Sequence, residues 1–443
     1  MDKANVLATI KQCFKNILPQ QDARTKISPI NFVIGLVFHF HGDADIISLE
    51  SIRRFMIHHL GIKISKSSFW ERLSRKRLKN LLLQLISHLM ANIAGTALIG
   101  ENILSALSVT NIYIVDSTSI TLWDGAKDDY PGTRTNAGIK WHFCFDLFSG
   151  CLKWFEFSPT SKNDRKCFPP LNLLAEALII FDLGYWDYTL LASIKDMGGF
   201  FLSRVKTNST IIISEVVSGI SVLHKGKKLS SLSFKRRGAE VVELIGSILI
   251  EGTEHHFRLI GFWNAEEKKY HWYITNLKIP ASLMYSLYRL RWQVELVFKG
   301  HKNSLNADQI PSNNDNVIQS LLLASTVAHI ASSVLLNIEM KDLNEEQKRA
   351  FSYQRLFKTL GLLASDFIKF LLSKTRNNIQ KFIKKIELLS SELFDPNYKK
   401  RKTTLGKFME ELEEACSELN EKCNILIFKR RGRRNQEIIK KAA

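Results

Sequence analysis

The sequence predicts a mixed α/β fold whose sheet begins with antiparallel strands, and two observations carry this prediction. From residue 112 onward, short apolar runs and helical stretches follow the order three strands, helix, strand, helix, strand. The runs Ile139–Leu147 and Leu152–Phe157 flank Ser149-Gly150, as the two strands of a hairpin do. The other strands of this set are predicted at Ile112–Val115, Ala177–Phe181 and Gly199–Val205.

A β-rich insertion is predicted at about residues 206–268, because several short strand-like runs follow one another there without a long helix. These runs are Thr210–Ser214, Glu240–Ile245, Ser247–Ile250 and His256–Phe262. Tyr270–Thr275 then returns to the core of the fold as a strand. Pro280 ends that strand, and a helix is predicted from about Ala281 to Lys302.

The regions on both sides, residues 1–108 and 341–443, are predicted to be helical. In the first region, Ser68–Met90 combines apolar residues at helical spacing with a group of basic side chains. This pattern suits the DNA backbone and an ordinary solvated helix face equally well. The second region closes with the basic cluster Lys429–Arg434, which either clamps DNA or forms a solvated tail.

Length and composition place the chain among globular proteins with a basic surface. Its 443 residues suit about two to four structural units. Hydrophobic residues make up 45% and charged residues 24%, which excludes a mainly disordered chain. The formal net charge is +19. Because neutralising phosphates releases counterions, nucleic acid is the commonest partner for such a surplus, and a merely basic protein is the alternative.

The cysteines and the apolar segments bear on the cellular setting. Six cysteines are scattered without a C-x-x-C pair, so neither a zinc site nor a redox motif is indicated. No secretory signal opens the chain, and a reducing, cytoplasmic setting is expected. The stretch Val317–Ile338 is long enough to cross a bilayer. Since it carries Gln319 and His329, we predict a buried helix packed on a sheet and no membrane partner.

Two aspartates, Asp116 and Asp182, are predicted to lie where apolar strands end. Phosphodiester cleavage with two metal ions needs carboxylates that flank and bridge ions roughly 3.5–4 Å apart. Strand ends hold such groups rigidly beside a cleft. Each aspartate alone is equally consistent with a turn residue, since aspartates often end strands. Other acids of this region, such as Asp146 and Asp164, end no apolar strand as cleanly.

The predicted helix around Glu295 carries a more specific pattern. At about 100° per residue, four polar side chains fall within a stripe about 60° wide, namely Tyr288, Arg291, Glu295 and Lys302. Apolar side chains on another side predict the core face, namely Leu283, Leu287, Leu290, Val294 and Val297. At a cleft edge, Arg291 and Lys302 suit phosphates and Glu295 supplies a third carboxylate. The alternative is a helix surface with ordinary i,i+4 ion pairs.

The spacing Tyr288-x2-Arg291-x3-Glu295-x6-Lys302 resembles the YREK signature of bacterial insertion-sequence transposases of the DDE class, the insertion-sequence-four type. Two further motifs resemble the aspartate motifs of that family: V-D-S-T at Asp116 and D-x-G-Y at Asp182–Tyr185. Thr135–Gly150 resembles the strand pair that follows the first aspartate. The resemblance covers about residues 112–338, and the region before residue 111 matches no motif of the family.

This resemblance implies a ribonuclease-H-like catalytic domain at residues 109–340 with the β-rich segment as an insertion. It implies that Asp116, Asp182 and Glu295 are catalytic and hold two Mg²⁺ ions, for which Mn²⁺ substitutes. The implied reaction is cut-and-paste DNA transposition, in which water attacks at the element end and the freed 3′-hydroxyl attacks again. Two rival functions remain: a metal-dependent nuclease without strand transfer, and a catalytically inactive DNA-binding derivative.

The resemblance also implies the partners. These are double-stranded DNA, as terminal inverted repeats and as target, and a second copy of the chain in the synaptic complex. The expected setting is the bacterial cytoplasm, in association with the nucleoid. Tyr288, Arg291 and Lys302 are expected to bind DNA phosphates. Trp272 matches the context of a tryptophan on which relatives stack a flipped base, and core packing in a strand is its equal alternative.

Overall fold

A mixed sheet forms the centre of the computed structural model, which describes residues 3–18, 27–40, 48–93, 101–232, 239–295, 298, 310, 312–340, 353–373, 377–393, 404 and 406–415. The strands in chain order are β1 (Ile112–Thr121), β2 (Gly138–Asp146), β3 (Leu152–Pro159), β4 (Leu178–Phe181), β5 (Phe200–Arg204), β6 (Ile212–Ser218), β7 (Val241–Ile250), β8 (Thr253–Asn264) and β9 (Lys269–Thr275). Their order across the sheet is β3-β2-β1-β4-β5-β9-β8-β7-β6.

The pairing directions confirm the predicted mixed α/β sheet with antiparallel strands first. The helix predicted between the third and fourth strands is wrong, since the 3₁₀ turns Asp164–Lys166 and Leu171–Leu173 connect β3 to β4. β1 pairs with β2 and β2 pairs with β3, both in antiparallel directions. β4 then pairs with β1 and with β5 in parallel directions. The helix between β4 and β5, α7, covers Tyr188–Asp196 and supplies the crossover that two parallel neighbours require.

The β-rich segment continues the same sheet, because β9 pairs with β5 and the hairpins β9-β8 and β8-β7 extend from it. One detail of the sequence prediction is wrong: the two runs predicted at Glu240–Ile245 and Ser247–Ile250 form the single strand β7. Gly246 separates the two predicted runs in the sequence, and a glycine inside a strand often marks an irregularity. In the structure an added Cβ at Gly246 would lie 2.4 Å from Ile211 Cγ2 and 2.6 Å from a Leu259 methyl group. The glycine therefore permits close packing and does not interrupt the strand.

Most helices precede or follow the strands along the chain. Besides α7, they are α1 (Lys3–Ile17), α2 (Pro29–His39), α3 (Leu49–Leu60), α4 (Lys66–Leu73), α5 (Lys76–Ile93), α6 (Glu101–Leu107), α8 (Met284–Arg289), α9 (Asp315–Met340), α10 (Tyr353–Leu372) and α11 (Asn377–Leu389). Local signals set several of their ends. Ser48 caps α3 in a reciprocal capping box with Ser51, and Gly61 ends it in the left-handed conformation at φ 65°.

The basic segment Ser68–Met90 is divided between α4 and α5, and part of its charge faces the protein. Arg72 donates a hydrogen bond to the carbonyl of Ile27, and Lys79 lies 3.6 Å from a carboxylate oxygen of Asp315. Its role at the DNA backbone stays a prediction. The C-terminal cluster Lys429–Arg434 lies outside the described residues.

The long helix α9 is buried inside the protein. Its stretch Asp315–Leu335 is the one helix among the described residues that is long and apolar enough to cross a membrane. From residue 317 to residue 335 every residue except Gln319 is buried, which confirms the predicted buried helix. Its main packing partners are α5 and α2. Contact with the sheet includes the β2–β3 turn, where His329 and Ser333 both bond the carbonyl oxygen of Gly150.

The helix predicted from Ala281 to Lys302 is not continuous within its described part. A 3₁₀ turn at Ala281–Leu283 leads into α8, which ends at Arg289. The next backbone bonds join residues three apart, from the amides of Leu290 and Arg291 to the carbonyls of Leu287 and Tyr288. Helical geometry resumes at residues 292–295. In this tighter stretch, side chains at i and i+3 lie one above the other, so Tyr288 and Arg291 are aligned.

Candidate active site

The pairing of β1 with β4 brings the two predicted aspartates side by side. Val115 is the register partner of Phe181, so Asp116 and Asp182 are the next residues on two neighbouring parallel strands. Such strands lie about 4.8 Å apart. Asp182 directly follows β4, as predicted. Asp116 does not end its strand, because β1 continues to Thr121 along its antiparallel partner β2. The correct description is that Asp116 lies where β1 loses its parallel partner.

Backbone amides fix the orientation of both carboxylates. Asp116 Oδ1 accepts a hydrogen bond of 2.8 Å from the amide of Ser117. Asp182 Oδ1 accepts one of 2.8 Å from the amide of Gly184, and this caps a 3₁₀ turn at Leu183–Tyr185. An added Cβ at Gly184 would lie 3.0 Å from Asp182 Oδ1. The glycine of the D-x-G-Y motif therefore leaves room for the carboxylate.

A guanidinium group joins the first aspartate to the glutamate. Arg291 Nη1 donates to Asp116 Oδ2 at 2.5 Å, and Arg291 Nη2 donates to Glu295 Oε1 at 2.8 Å. The side chains of Arg291 and Asp116 are only 13% and 12% exposed, whereas that of Glu295 is 54% exposed. The predicted i,i+4 relation between Arg291 and Glu295 is thus present, and it is part of a larger bridge to the sheet.

One donor of the Arg291 guanidinium makes no hydrogen bond to the residues that the structure describes. Its Nε is buried and has no hydrogen-bond partner among the described residues. Leaving a buried donor without an acceptor costs about 1–3 kcal/mol. A phosphate oxygen is an acceptor that a planar guanidinium binds well. This geometry favours Arg291 as a group that meets an anionic substrate.

Burial controls the charge of Asp116. Desolvation raises the pKa of Asp116 to about 6, with smaller contributions in the same direction from Asp182 and Glu295. Arg291 and the Ser117 amide oppose this rise. Three carboxylates that repel one another, with Asp116 buried among them, demand positive charge. Arg291 supplies part of that charge.

A buried polar network supports the reverse side of the sheet beneath the aspartates. His142, on β2 opposite Ser117, is fully buried and lies 2.9 Å from the hydroxyl of Tyr185 and 2.9 Å from that of Ser158. Ser117, the neighbour of Asp116, is the register partner of His142 across the β1–β2 pair. Burial lowers the pKa of His142 to about 4, so the imidazole is neutral. The network thereby ties the neighbour of Asp116 to the turn that carries Asp182.

Sequence reasoning did not identify this network. The sequence patterns include Tyr185 only as part of D-x-G-Y and His142 only as part of a strand. The one local signal is a histidine in an otherwise apolar strand, IKWHFCFDL, where a buried imidazole needs polar partners. Periodicity carries no information on which residue 43 positions away provides one.

The other predicted site residues have different fates. Tyr288 lies on the stripe but is buried, and its ring packs 5.1 Å from that of Tyr273. Trp272 is half-buried on β9 across from Gly261, beside Tyr270, in the apolar cluster on the sheet face opposite α8. This environment favours its core-packing alternative, and base stacking stays a prediction. Lys302 lies outside the described residues.

Within the described part of the chain, no three histidine, cysteine or acidic side chains are grouped closely enough to hold a metal ion. Arg291 spans the gap between Asp116 and Glu295. The donor chemistry nevertheless fits a hard divalent cation, since all three predicted ligands are carboxylates. Burial raises the pKa of Asp116 mainly through lost hydration, so a bound cation would favour the charged form of this carboxylate.

Two aspartates on neighbouring parallel strands, joined through an arginine to a glutamate on the following helix, define an acidic site on a mixed α/β sheet. A family model described as the transposase DDE domain matches residues 107–331, about half of the chain. The protein belongs to this family.

Individual relatives agree with this assignment at low identity. The transposase for insertion sequence element IS231F of Bacillus thuringiensis subsp. israelensis is 23% identical over 316 residues, covering 61% of this chain and 65% of the relative. The transposase for IS1151 of Clostridium perfringens is 24% identical over 285 residues, covering 53% and 60%. The chain thus spans less than two thirds of these relatives. A piggyBac transposase synaptic complex with hairpin DNA overlaps 86% of this chain and 82% of its own at 11% identity, and its TM-score of 0.43 is too low to establish a shared fold.

The raised pKa of Asp116 predicts a defined pH dependence of stability. Its ordinary value is 3.8 and its folded value about 6, so between these pH values the folded state binds more protons than the unfolded state. The contribution of this group to stability therefore falls as the pH rises from 4 to 7. Relative to Asp116→Asn, the wild-type free energy of unfolding should fall by about 2 kcal/mol over this range.

Urea denaturation of both proteins at several pH values measures this difference. Asp128→Asn is the matched control, since Asp128 is exposed, and its difference from wild type should stay constant with pH. Parallel pH profiles for wild type and Asp116→Asn would show that folding does not raise the pKa of Asp116.

The network behind the aspartates predicts a specific coupling. Tyr185→Phe leaves a buried nitrogen of His142 without its partner and should lower the free energy of unfolding by about 1–3 kcal/mol. Combining it with His142→Phe should cost less than the sum of the single changes, as a double-mutant cycle measures. Tyr285→Phe is the control, since that ring is 42% exposed. Additive losses would show that the two side chains act independently.

Proposed function

We propose that this protein is a DNA transposase that cuts at the ends of an insertion sequence and joins them to target DNA with the help of divalent metal ions. The observation that carries the proposal is the grouping of Asp116 and Asp182 on paired strands with Arg291 and Glu295 on the helix that covers them. Membership of the transposase DDE domain family supports the same reaction class.

We further propose that residues 109–340 form a ribonuclease-H-like catalytic domain, with residues of about 206–268 inserted between β5 and β9. The antiparallel start β1-β2-β3, followed by β4 and β5 parallel to β1, supports this proposal. In the same proposal, residues 1–108 are a helical DNA-binding region and residues 341–443 a basic helical region.

The metal ions would be held by Asp116, Asp182 and Glu295. We propose two Mg²⁺ ions, with Mn²⁺ as a substitute, because a site of few carboxylates leaves room for water and substrate phosphates. The ions would activate the attacking oxygen and stabilise the leaving oxygen of the phosphodiester. The chain contributes orientation: the amides of Ser117 and Gly184 hold the two aspartates in place before substrate arrives.

Arg291 would exchange part of its contact with the carboxylates for a phosphate of the DNA. Its unused Nε donor and its place between Asp116 and Glu295 support this role. Lys302 would bind a further phosphate. Tyr288, which is aligned with Arg291, would help to bind and orient the DNA phosphate. For Trp272, base stacking is the weaker alternative to core packing.

The proposed partners are the inverted repeats at the ends of the element, target DNA and a second copy of the chain. Joining two ends in one reaction requires both to be held in one complex, which is the reason for proposing a homodimer. The formal charge of +19 supports binding of a polyanion. The proposed setting is the bacterial cytoplasm, at the nucleoid.

The test is an assay with the DNA that flanks the gene. Purified protein is incubated with Mg²⁺, a precut end from that DNA and a target plasmid. Joined products are expected. Cleavage without any joined product would support the rival nuclease, and binding without cleavage would support the inactive derivative.

Single substitutions in the proposed triad should abolish this reaction. Asp116→Asn, Asp182→Asn and Glu295→Gln are each expected to reduce joined product on the order of 10²-fold or more, because a bound ion contributes several kcal/mol to the barrier reduction. Asp128→Asn and Glu266→Gln change exposed acids and should retain activity. Triad variants that all match wild type would refute the proposed site.

A further inference from the structure

We propose that a polar cleft beside the Asp182 turn binds the sugar-phosphate backbone of one DNA strand and leads it to the acidic site. The inference rests on the proposed function, since it supplies the path of the substrate at that site. The cleft has a volume of about 470 Å³ and opens to solvent between β2, the segment after β3 and the segment after β5. That volume is typical of a pocket for one small molecule or chain segment, and it is too small for a duplex.

The charge of the cleft fits a phosphodiester. Four cationic side chains line it, Lys140, Lys162, Arg165 and Lys206, against the single carboxylate of Asp164. Its other side-chain groups are mainly hydroxyls and an amide. Such groups donate hydrogen bonds to phosphate oxygens and carry no base specificity of their own.

Three of the four cations are held by ion pairs with carboxylates, among them Arg165 with Asp187. Lys140 lies 2.5 Å from Asp164, and Lys162 lies 2.9 Å from Glu156. The Lys162 side chain is still 36% exposed, so it retains access to a ligand. Lys206 makes no ion pair with any other residue that the structure describes.

The cleft and the acidic site meet at one residue. Gly184 and Leu183 line the cleft, and they belong to the turn that Asp182 caps. A Cβ added at Gly184 would lie 3.0 Å from Asp164 Oδ2, in the cleft, and 3.0 Å from Asp182 Oδ1, in the site. A strand whose phosphates lie along the cleft therefore passes over the Gly184 backbone to reach the carboxylates.

The lining also decides which part of DNA the cleft takes. Leu183 is the one large apolar side chain that lines it, and no aromatic ring of the described residues does. Bases bound as single strands are commonly stacked on aromatic side chains. A cleft without rings but rich in cations suits the backbone, and binding there should be independent of sequence.

Salt dependence of binding tests the inference directly. The probe is a fluorescein-labelled duplex from the DNA beside the gene, bound by the full chain at a series of KCl concentrations. Lys206→Met and Lys162→Met should each reduce the slope of log K against log[KCl] by about 0.7–0.9, the value for one lost phosphate contact. Lys206→Gln is a second variant that keeps a polar end, and the same loss is expected.

The matched control is Lys384→Met, which removes an exposed lysine on α11. It should leave the slope at the wild-type value. An equal reduction by the control would show a general charge effect and overturn the proposal, as would unchanged slopes for the cleft variants. Thermal unfolding of each variant verifies that the fold is intact.

A second measurement locates the contact. Probes that carry one uncharged methylphosphonate linkage are bound by wild type and by Lys206→Met. Where the uncharged linkage replaces the phosphate that the cleft holds, the probe should bind more weakly to the wild type. Its binding to Lys206→Met should be unchanged. Equal effects on both proteins at every linkage would overturn the inference. If the wild type neither cuts nor joins DNA but the slopes change as expected, the proposed function fails and the proposed cleft stands. If the wild type joins DNA but the cleft variants keep the wild-type slope, the proposed cleft fails and the proposed function stands.

Discussion

The burial of Asp116 is the constraint on which the site depends. A carboxylate inside a sheet loses hydration, and the isolated charge would be too costly to keep. The guanidinium of Arg291 compensates the charge of Asp116 and also donates a hydrogen bond to Glu295. The helix that bears Arg291 packs its leucines on the core and tightens into a 3₁₀ turn at that point. Charge compensation at one aspartate thereby fixes the approach of a whole element to the sheet.

The same constraint explains why the sheet is polar beneath the site. Two parallel strands place Asp116 and Asp182 together, so their repulsion must be resisted by rigid backbone. The hydrogen bond between Tyr185 and His142 joins the turn after Asp182 to β2. Since His142, Tyr185 and Ser158 are buried and partnered, the network stiffens the platform without adding charge to it.

Local patterns predicted the elements and part of the site. Strand-like runs predicted the succession of strands along the chain, and Asp182 lies at a strand end as expected. The helical stripe predicted that Arg291 and Glu295 share a side, because i,i+4 neighbours meet on a helix. The extension of β1 beyond Asp116 escaped prediction, since it depends on how far the antiparallel partner continues. The joining of His142 to Tyr185 escaped it as well, because only the folded register brings the two together.

An acidic site in a strongly basic chain poses an electrostatic problem that its surroundings address. Three carboxylates repel a polyanionic strand at the distance where chemistry would occur, and this repulsion is strongest where water is excluded. Cations placed on both sides of the acids offset it without occupying the reacting position. Arg291 does so from the helix, and the cleft cations do so beyond Gly184. In the proposed function, a strand held by its flanking phosphates would carry the phosphodiester between them to the acids.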